Sequence, residues 1–210
     1  GQFEGSYTLS SLGPPWGHRI ALRGEDVDLA AFLHALGIDD AGLAGRCRVN
    51  ADLGFQGEAI KLGSGTALVD VRPAPGDVPV DGRIVLVLAR DGALAISTDD
   101  IRLAGAPLHW EGRLTLGTWR PAWSIQGERI RIESVARLLR GWVGEDVIPP
   151  ELVGEAAIDL RLHGTFDDLT ITGDVAAAPV SFGPIDADGI EASIRVGQGV
   201  LHLESGSVFV

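Results

Sequence analysis

A strict alternation of apolar and polar residues constrains this chain more than any other feature. Between residues 154 and 164, the apolar positions include Ile158, Leu160 and Leu162, and charged or polar residues stand between them. A period of two places successive side chains on opposite sides of a β-strand, so this segment is predicted to be a strand with one apolar and one wet face. Residues 168–177 follow the same pattern. The alternation therefore predicts an all-β protein.

Turn residues separate the alternating segments at short intervals. Residues 83–97 are predicted to form a hairpin that turns at Asp91 and Gly92, and residues 191–206 a second hairpin that turns at 197–199. Glycine makes up 29 of the 210 residues, which favours many turns over long helices, since an average protein has about 7% glycine. We predict about fourteen strands at the spacing typical of all-β proteins.

Two short segments depart from the alternation. Residues 27–37 and 132–142 place apolar side chains at the spacing of an amphipathic helix. Gly37 and Gly141 stand where a glycine commonly ends a helix. Each segment is predicted to form one short amphipathic helix of about three turns.

Segments of the first half recur in the second half in the same order. Residues 3–9 (FEGSYTL) and 110–116 (WEGRLTL) agree at four of seven positions. Further matches follow at a nearly constant separation of about 105 residues, and they begin at Gly24 and Gly127, at Gly45 and Gly154, and at Asp81 and Asp188. We predict two repeat units, residues 1–105 and a partial second unit at 106–210, within one continuous sheet. The alternative is a chance alignment, because sequences of period two align readily with one another.

A long sheet with one apolar face must cover that face. It can fold over on itself, or it can hold something apolar. The predicted fold is mainly β: an elongated, twisted antiparallel sheet that curls into an open apolar groove, with two short amphipathic helices. The formal net charge of −12 is then expected on the outer face, and the lack of a basic patch argues against a nucleic-acid partner. No apolar run reaches the length of about 18 residues that would predict a membrane-spanning helix.

The residue pattern indicates neither catalysis nor metal binding. The five histidines do not have metal-ligand spacing, and residues 63–66 lack the Gly-Lys-Ser/Thr ending of a phosphate-binding loop. Residues 186–189 resemble the opening of a calcium loop but lack its later ligands. Cys47 is the single cysteine, so an intrachain disulfide is excluded. We predict that the protein is not an enzyme and has no cofactor, no catalytic residue and no metal site.

Tryptophan is concentrated near the middle of the chain. One interpretation is that these side chains line a binding groove. The other is that they pack between the second predicted helix and the sheet, and it is favoured because large aromatic side chains commonly fill cores. The residues concerned are Trp110, Trp119, Trp123 and Trp142.

Several of these segments resemble a known family. "LHGTFDDLTITGDV" (162–175) and "DGIEASIRVGQGVLHLES" (188–205) are similar to the repeating strand units of the AsmA-like/TamB family of bacterial proteins. Residues 53–71 resemble the same unit more weakly, and residues 111–139 resemble the family's succession of two strands and a short helix. The resemblance implies an elongated β-groove with an apolar interior, in a periplasmic part of an inner-membrane-anchored protein of a Gram-negative-type bacterium.

The resemblance also implies a function and partners. The expected function is to carry or shield phospholipid acyl chains between the inner and outer membranes. The alternative is a chaperone or assembly module that pairs strands with outer-membrane β-barrel proteins and autotransporters, together with an outer-membrane barrel partner of the parent protein. A secreted solenoid or stalk, closed on its own apolar core, is a third alternative. The chain begins and ends inside strand patterns, so we expect a fragment of a longer protein whose membrane contacts lie outside it.

The candidate lipid-binding positions are the apolar members of the alternating segments. They are Ile84, Leu86, Leu88, Leu94, Ile96, Ile158, Leu160, Leu162, Leu169, Ile171, Val175, Ile194 and Leu201.

Overall fold

The chain is mainly β-strand, with two short helices, as predicted. The computed structural model of the protein describes residues 1–9, 17–35, 42–56, 63–76, 78–143, 152–165, 168–182, 184–197 and 200–209. The first half contains β1 (Gln2–Leu9), β2 (Gly17–Asp28), α1 (Leu29–Ala35), β3 (Leu43–Gln56), β4 (Ser64–Pro73), β5 (Val78–Leu88) and β6 (Ala93–Leu103). The second half contains β7 (Ala106–Thr115), β8 (Arg120–Arg131), α2 (Ile132–Val143), β9 (Leu152–Thr165), β10 (Asp168–Phe182), β11 (Ile185–Ala187), β12 (Gly189–Gly197) and β13 (Val200–Phe209).

All thirteen strands belong to one sheet that does not close into a barrel. The strands lie side by side in sequence order from β1 to β10, followed by β12 and β13, and the short β11 pairs with the end of β10. Neighbours are antiparallel, apart from a two-residue parallel contact between β3 and β5. The predicted fold class is therefore confirmed.

Both predicted helices form, and each directly follows a strand. α1 lies within residues 27–37, and the backbone N–H of Ala31 donates to the Asp28 carboxylate at 3.1 Å, which caps its first turn. α2 begins at Ile132, as predicted, and ends at Val143. Gly37, the predicted end of the first helix, lies outside the described residues.

The strand that enters each helix contains a β-bulge. In β2 the register shifts between Gly24 and Val27, and in β8 it shifts between Gly127 and Ile130. One residue of each bulge has a positive φ, 54° at Asp26 and 52° at Arg129. The succession of bulged strand, helix and two further strands thus occurs twice. The boundary between the predicted repeat units at residues 105 and 106 stays a prediction.

The main hydrophobic core joins strands that are distant in the sheet. Val49 of β3 and Val69 of β4 belong to the same buried cluster as Ile130 of β8. Val135 of α2 and Ile158 of β9 pack against this cluster. Since β3 and β8 are not neighbours in the sheet, the sheet must curl around its apolar face to bring these residues together. Smaller clusters continue along β9, β10 and β12.

The thiol of Cys47 on β3 allows the burial of this core to be tested by the pH dependence of stability. Its side chain is 1% exposed, and burial, with a contribution from the nearby Asp28 carboxylate, raises the pKa of its thiol to about 11. The thiol is therefore neutral in the folded protein at pH values where an unfolded thiol has begun to ionise. We expect the free energy of unfolding to fall as the pH rises from about 9 to about 11, because the unfolded state loses this proton first.

The measurement is urea unfolding across that pH range, compared with a Cys47→Ala variant. The wild type should lose more stability than the variant as the pH rises, and a thiol reagent should label Cys47 rapidly only after unfolding. Equal pH dependence in the two proteins would contradict a buried, neutral thiol.

Candidate functional site: the apolar face of the sheet

Strand register assigns every paired residue to one of two faces, because directly paired residues project on the same side. We call the side that carries Val49 the apolar face and the opposite side the outer face. One row crosses the apolar face through Phe3, Gly24, Val49, Val69, Ile84, Thr98, Trp110, Ile125, Leu160, Gly173, Ile194 and Leu203. We call this the first row. Its neighbours are register pairs except Thr98 and Trp110, which are joined through the hydroxyl of Thr98.

A second row runs beside the first. It passes through Gly5, Leu22, Ala51, Ala67, Leu86, Ile96, Gly112, Trp123, Leu162, Ile171, Val196 and Leu201. Neither row contains a charged residue. The single hydroxyl, that of Thr98, accepts from the N–H of Trp110 at 2.8 Å and donates to its carbonyl at 3.1 Å. The two rows therefore form a continuous apolar strip from β1 to β13.

The structure places all thirteen predicted lipid-binding positions on the apolar face. The first row holds Ile84, Leu160 and Ile194, and the second row holds Leu86, Ile96, Leu162, Ile171 and Leu201. The rest lie in adjoining rows, where Leu88 pairs with Leu94, Ile158 pairs with Val175, and Leu169 pairs with Gly164.

These positions differ in how far they remain accessible. Leu88, Ile96, Leu162 and Ile171 are buried, at 3–7% exposure. The described side chains of the others are half-buried, and the side chain of Leu201 lies outside the described part of the chain. The middle of the apolar face is thus largely filled by the protein's own side chains.

The two ends of the strip are open. Among the first strands, Phe3 is 55%, Tyr7 61% and Leu22 36% exposed. On the last strand, Leu203 is 67% and Val208 63% exposed. With Leu9 of β1, which is 43% exposed, these five residues are the most accessible large apolar side chains described on this face, and we call the two groups the β1 end and the β13 end. None of the five is among the predicted positions, although the same alternation places them on the apolar face.

Two tryptophans contact each other on the apolar face. The rings of Trp110 and Trp123 meet edge to face, with centroids 5.3 Å apart. Trp123 packs against the cluster around Leu162 on β9, and the indole N–H of Trp110 is buried with no hydrogen-bond partner among the described residues. Trp119 lies apart in an exposed turn. The prediction that the tryptophans pack against α2 is therefore not met by Trp123, which packs against residues of the sheet. The side chain of Trp142 lies outside the described residues.

The outer face carries cross-strand ion pairs. Arg48 donates to Glu25 at 2.8 Å, and Arg83 donates to Asp70 at 2.7 Å. The hydrogen bond from Arg48 holds the pKa of Glu25 below its usual range. These groups are solvent-exposed, so each pair adds little to stability. These charged side chains keep the outer face hydrated, whereas the two rows of the apolar face carry no charge.

Two depressions are lined mostly by residues of the outer face. One of about 790 Å³ spans β1 to β5 and is lined by residues such as Ser6, Asn50 and Thr66. Another, of about 630 Å³, includes Arg113, Arg161 and His163. Among the described residues no group of three or more His, Cys, Asp or Glu side chains is placed to hold a metal ion. These depressions border the apolar strip through residues such as Leu22 and Ile96.

Comparisons of the chain with protein-family models, with curated proteins and with solved structures give no match. Within the described part of the chain, neither helix has the length and apolar composition needed to cross a bilayer.

Proposed function

We propose that this chain is a periplasmic β-groove segment that carries or shields lipid acyl chains between the inner and outer membranes. The observation that carries the proposal is the uncharged strip of two rows across the sheet, with described cross-strand ion pairs on the opposite face. An acyl chain on such a strip leaves water, which is worth about 0.8 kcal/mol for each buried methylene. The lipid head group would remain in water beside the charged outer side.

The mechanism is passive. Toward each end of the strip, rows of similar side chains offer an acyl chain nearly equal contact at successive accessible positions, so movement there has a low barrier. In the middle of the strip, Val49 and Val69 are 4% and 2% exposed and are covered by the protein itself, so an acyl chain would be held toward the ends. The β1 end and the β13 end supply the accessible contacts, since Leu22 and Leu203 have large exposed fractions. The half-buried Leu160 and Ile194 of the first row lie between these ends and would continue the path.

A substitution at the β1 end tests the proposal. Leu22 is 36% exposed on the apolar face, whereas Val87 is 41% exposed on the outer face, where it pairs with Ala95. We expect Leu22→Glu to weaken binding of a fluorescent phosphatidylethanolamine by about tenfold, because a charge beside the acyl chain costs more than 1 kcal/mol. Val87→Glu is the matched control and should bind as the wild type does.

Binding is measured by fluorescence titration, and circular dichroism checks that both variants keep the strand content of the wild type. Phospholipid recovered with the purified wild-type protein, identified by mass spectrometry, would support the proposal. Equal affinity of Leu22→Glu and Val87→Glu, or no measurable binding by the wild type, would contradict it.

A second candidate function is strand pairing with outer-membrane β-barrel proteins during their assembly. The observation that favours it is that β1 and β13 each pair with one strand only in the described part of the chain. An exposed edge can accept an added strand through backbone hydrogen bonds. A photocrosslinking residue at Ser6 or Ser207 should then capture a barrel client, and it should not do so if lipid carriage is the sole role.

A further inference from the structure

The helix α2 connects two hydrophobic clusters of the curled sheet. Its first residue, Ile132, is buried in the small cluster that continues along β9 and β10. One turn later, Val135 packs against the main core, whose members include residues of β3, β4 and β5. α2 also contacts β5, which is not a sheet neighbour of β8 or β9, the strands that flank the helix in the chain. The helix therefore bridges strands that only the curl brings near each other.

The two contacts of α2 differ in how firmly they hold. Ile132 is 9% exposed, and its Cδ1 atom lies 3.3 Å from the position that a Cβ of Gly154 on β9 would take, so the missing side chain of Gly154 gives Ile132 its place. Val135 is only half-buried. β8 and β9 are joined by their own ladder of pairs, so loss of the Val135 contact would leave the sheet paired. Ile132 thus anchors α2, and the contact of Val135 with the main core is the weaker of the two.

Two unfavourable features lie beside this weaker contact. The Oε2 atom of Glu133 is buried and accepts no hydrogen bond among the described residues, while Oε1 lies 3.7 Å from the guanidinium of Arg131. A buried acceptor without a donor lowers stability. Arg129, in the bulge that leads into α2, has a φ of 52°, a conformation that costs energy for a residue with a side chain. Elements held by few buried contacts are the ones that open without global unfolding.

We propose that α2 is a releasable clasp. Its contact with the main core holds the middle of the apolar strip closed, and release of that contact lets an acyl chain pass between the two ends of the strip, a role that rests on the proposed function. Release uncovers the part of the strip around Val49 and Val69, which are buried in the closed arrangement. α2 turns about the Ile132 anchor, and the pairing of β8 with β9 stays intact.

Amide hydrogen exchange tests the clasp without lipid. We expect the amides of α2 to exchange through a local opening that low urea concentrations do not accelerate, whereas those of β8 and β9 exchange through global unfolding. Glu133→Met removes the unsatisfied oxygen and should slow the exchange of α2 about tenfold. Val135→Ala removes apolar contact with the main core and should speed the exchange about threefold. Glu128→Met is the matched control, because Glu128 is an exposed carboxylate on β8, and it should leave the exchange of α2 unchanged.

Photocrosslinking tests the passage of an acyl chain. The probe is a phosphatidylethanolamine that carries a diazirine on one acyl chain, and mass spectrometry identifies the crosslinked peptides. We expect the wild type to give crosslinks at the β1 end and, at lower yield, on β4 and β5. Val135→Ala should raise the yield on β4 and β5 about threefold, because a larger fraction of the molecules is open, and Glu133→Met should lower it. Crosslinking at the β1 end should be the same in all of these proteins.

Failure of the clasp can be distinguished from failure of the proposed function. Crosslinks at the β1 end with none on β4 and β5 in any variant would overturn the clasp and leave lipid binding in place. Exchange of α2 as slow as that of β8 and β9, or equal in Glu133→Met, Val135→Ala and the wild type, would also overturn it. No crosslink at any position would contradict the proposed function, and passage through the clasp with it.

Discussion

Replacing Val69 with aspartate is expected to lower the free energy of unfolding by about 3–5 kcal/mol, the cost of leaving an uncompensated charge in a protein interior. Val69 is 2% exposed, and it lies in the first row between Val49 and Ile84, where the curled sheet packs on itself. No described positive group lies in this core, since its buried members are all apolar. A domain is stable by only about 5–15 kcal/mol, so the variant should be largely unfolded at moderate urea concentrations.

The matched control is Val87→Asp, which introduces the same change on the outer face. Val87 is 41% exposed, and the stability change should stay within about 0.5 kcal/mol. Urea unfolding followed by circular dichroism measures both variants. Similar losses in the two proteins would mean that the apolar face is not the buried side of the sheet.

Replacing Gly173 with alanine is expected to cost about 2–4 kcal/mol, which combines backbone strain with overpacking. Gly173 lies in the first row between Leu160 and Ile194 and has a φ of 155°, a conformation that favours glycine. A Cβ at this position would overlap the backbone carbonyl oxygen of Asp159 on the neighbouring strand. Neither backbone can yield without disturbing the pairing of β9 with β10.

Gly197→Ala on β12 serves as the comparison. Among the described residues, a Cβ there would approach the hydroxyl of Thr170, at 3.7 Å, which is ordinary contact. Its stability should change by less than about 1 kcal/mol in either direction. Thermal unfolding of both variants gives the measurement, and a Gly173→Ala protein as stable as Gly197→Ala would contradict the close approach of the two strands.

The division of side chains between the two faces could be predicted from the sequence. A period of two leaves little choice, so Ile158, Leu160 and Leu162 had to share a face once β9 formed. The accessibility of each residue could not be predicted in this way. Leu88 and Leu94 are directly paired on the apolar face, yet Leu88 is 4% exposed and Leu94 is half-buried. That difference depends on how the sheet curls, which is set by contacts between strands far apart in the sheet.

The exposure of the residues at the two ends of the strip could not be predicted either, because it too depends on the arrangement of the strands. Tyr7 and Leu203 have the same alternation as the buried residues of the middle strands. What distinguishes them is that, in the described part of the chain, β1 and β13 each have one neighbouring strand, which depends on their position in the sheet. The bulge at Arg129 could not be predicted from the sequence either, because a positive φ is uncommon for a residue with a long side chain.

The strands lie in the sheet in the order in which they occur in the chain, which affects how the sheet forms and how many strands it can contain. Apart from the short β11, each strand pairs with the strand that comes next in the sequence, so most pairings require only the closure of a loop between consecutive strands. We expect the sheet to grow one hairpin at a time from any point where two neighbouring strands have paired. For the same reason, a hairpin could be gained or lost during evolution without changing how the remaining strands pair, which makes the span of the sheet an adjustable property of this architecture.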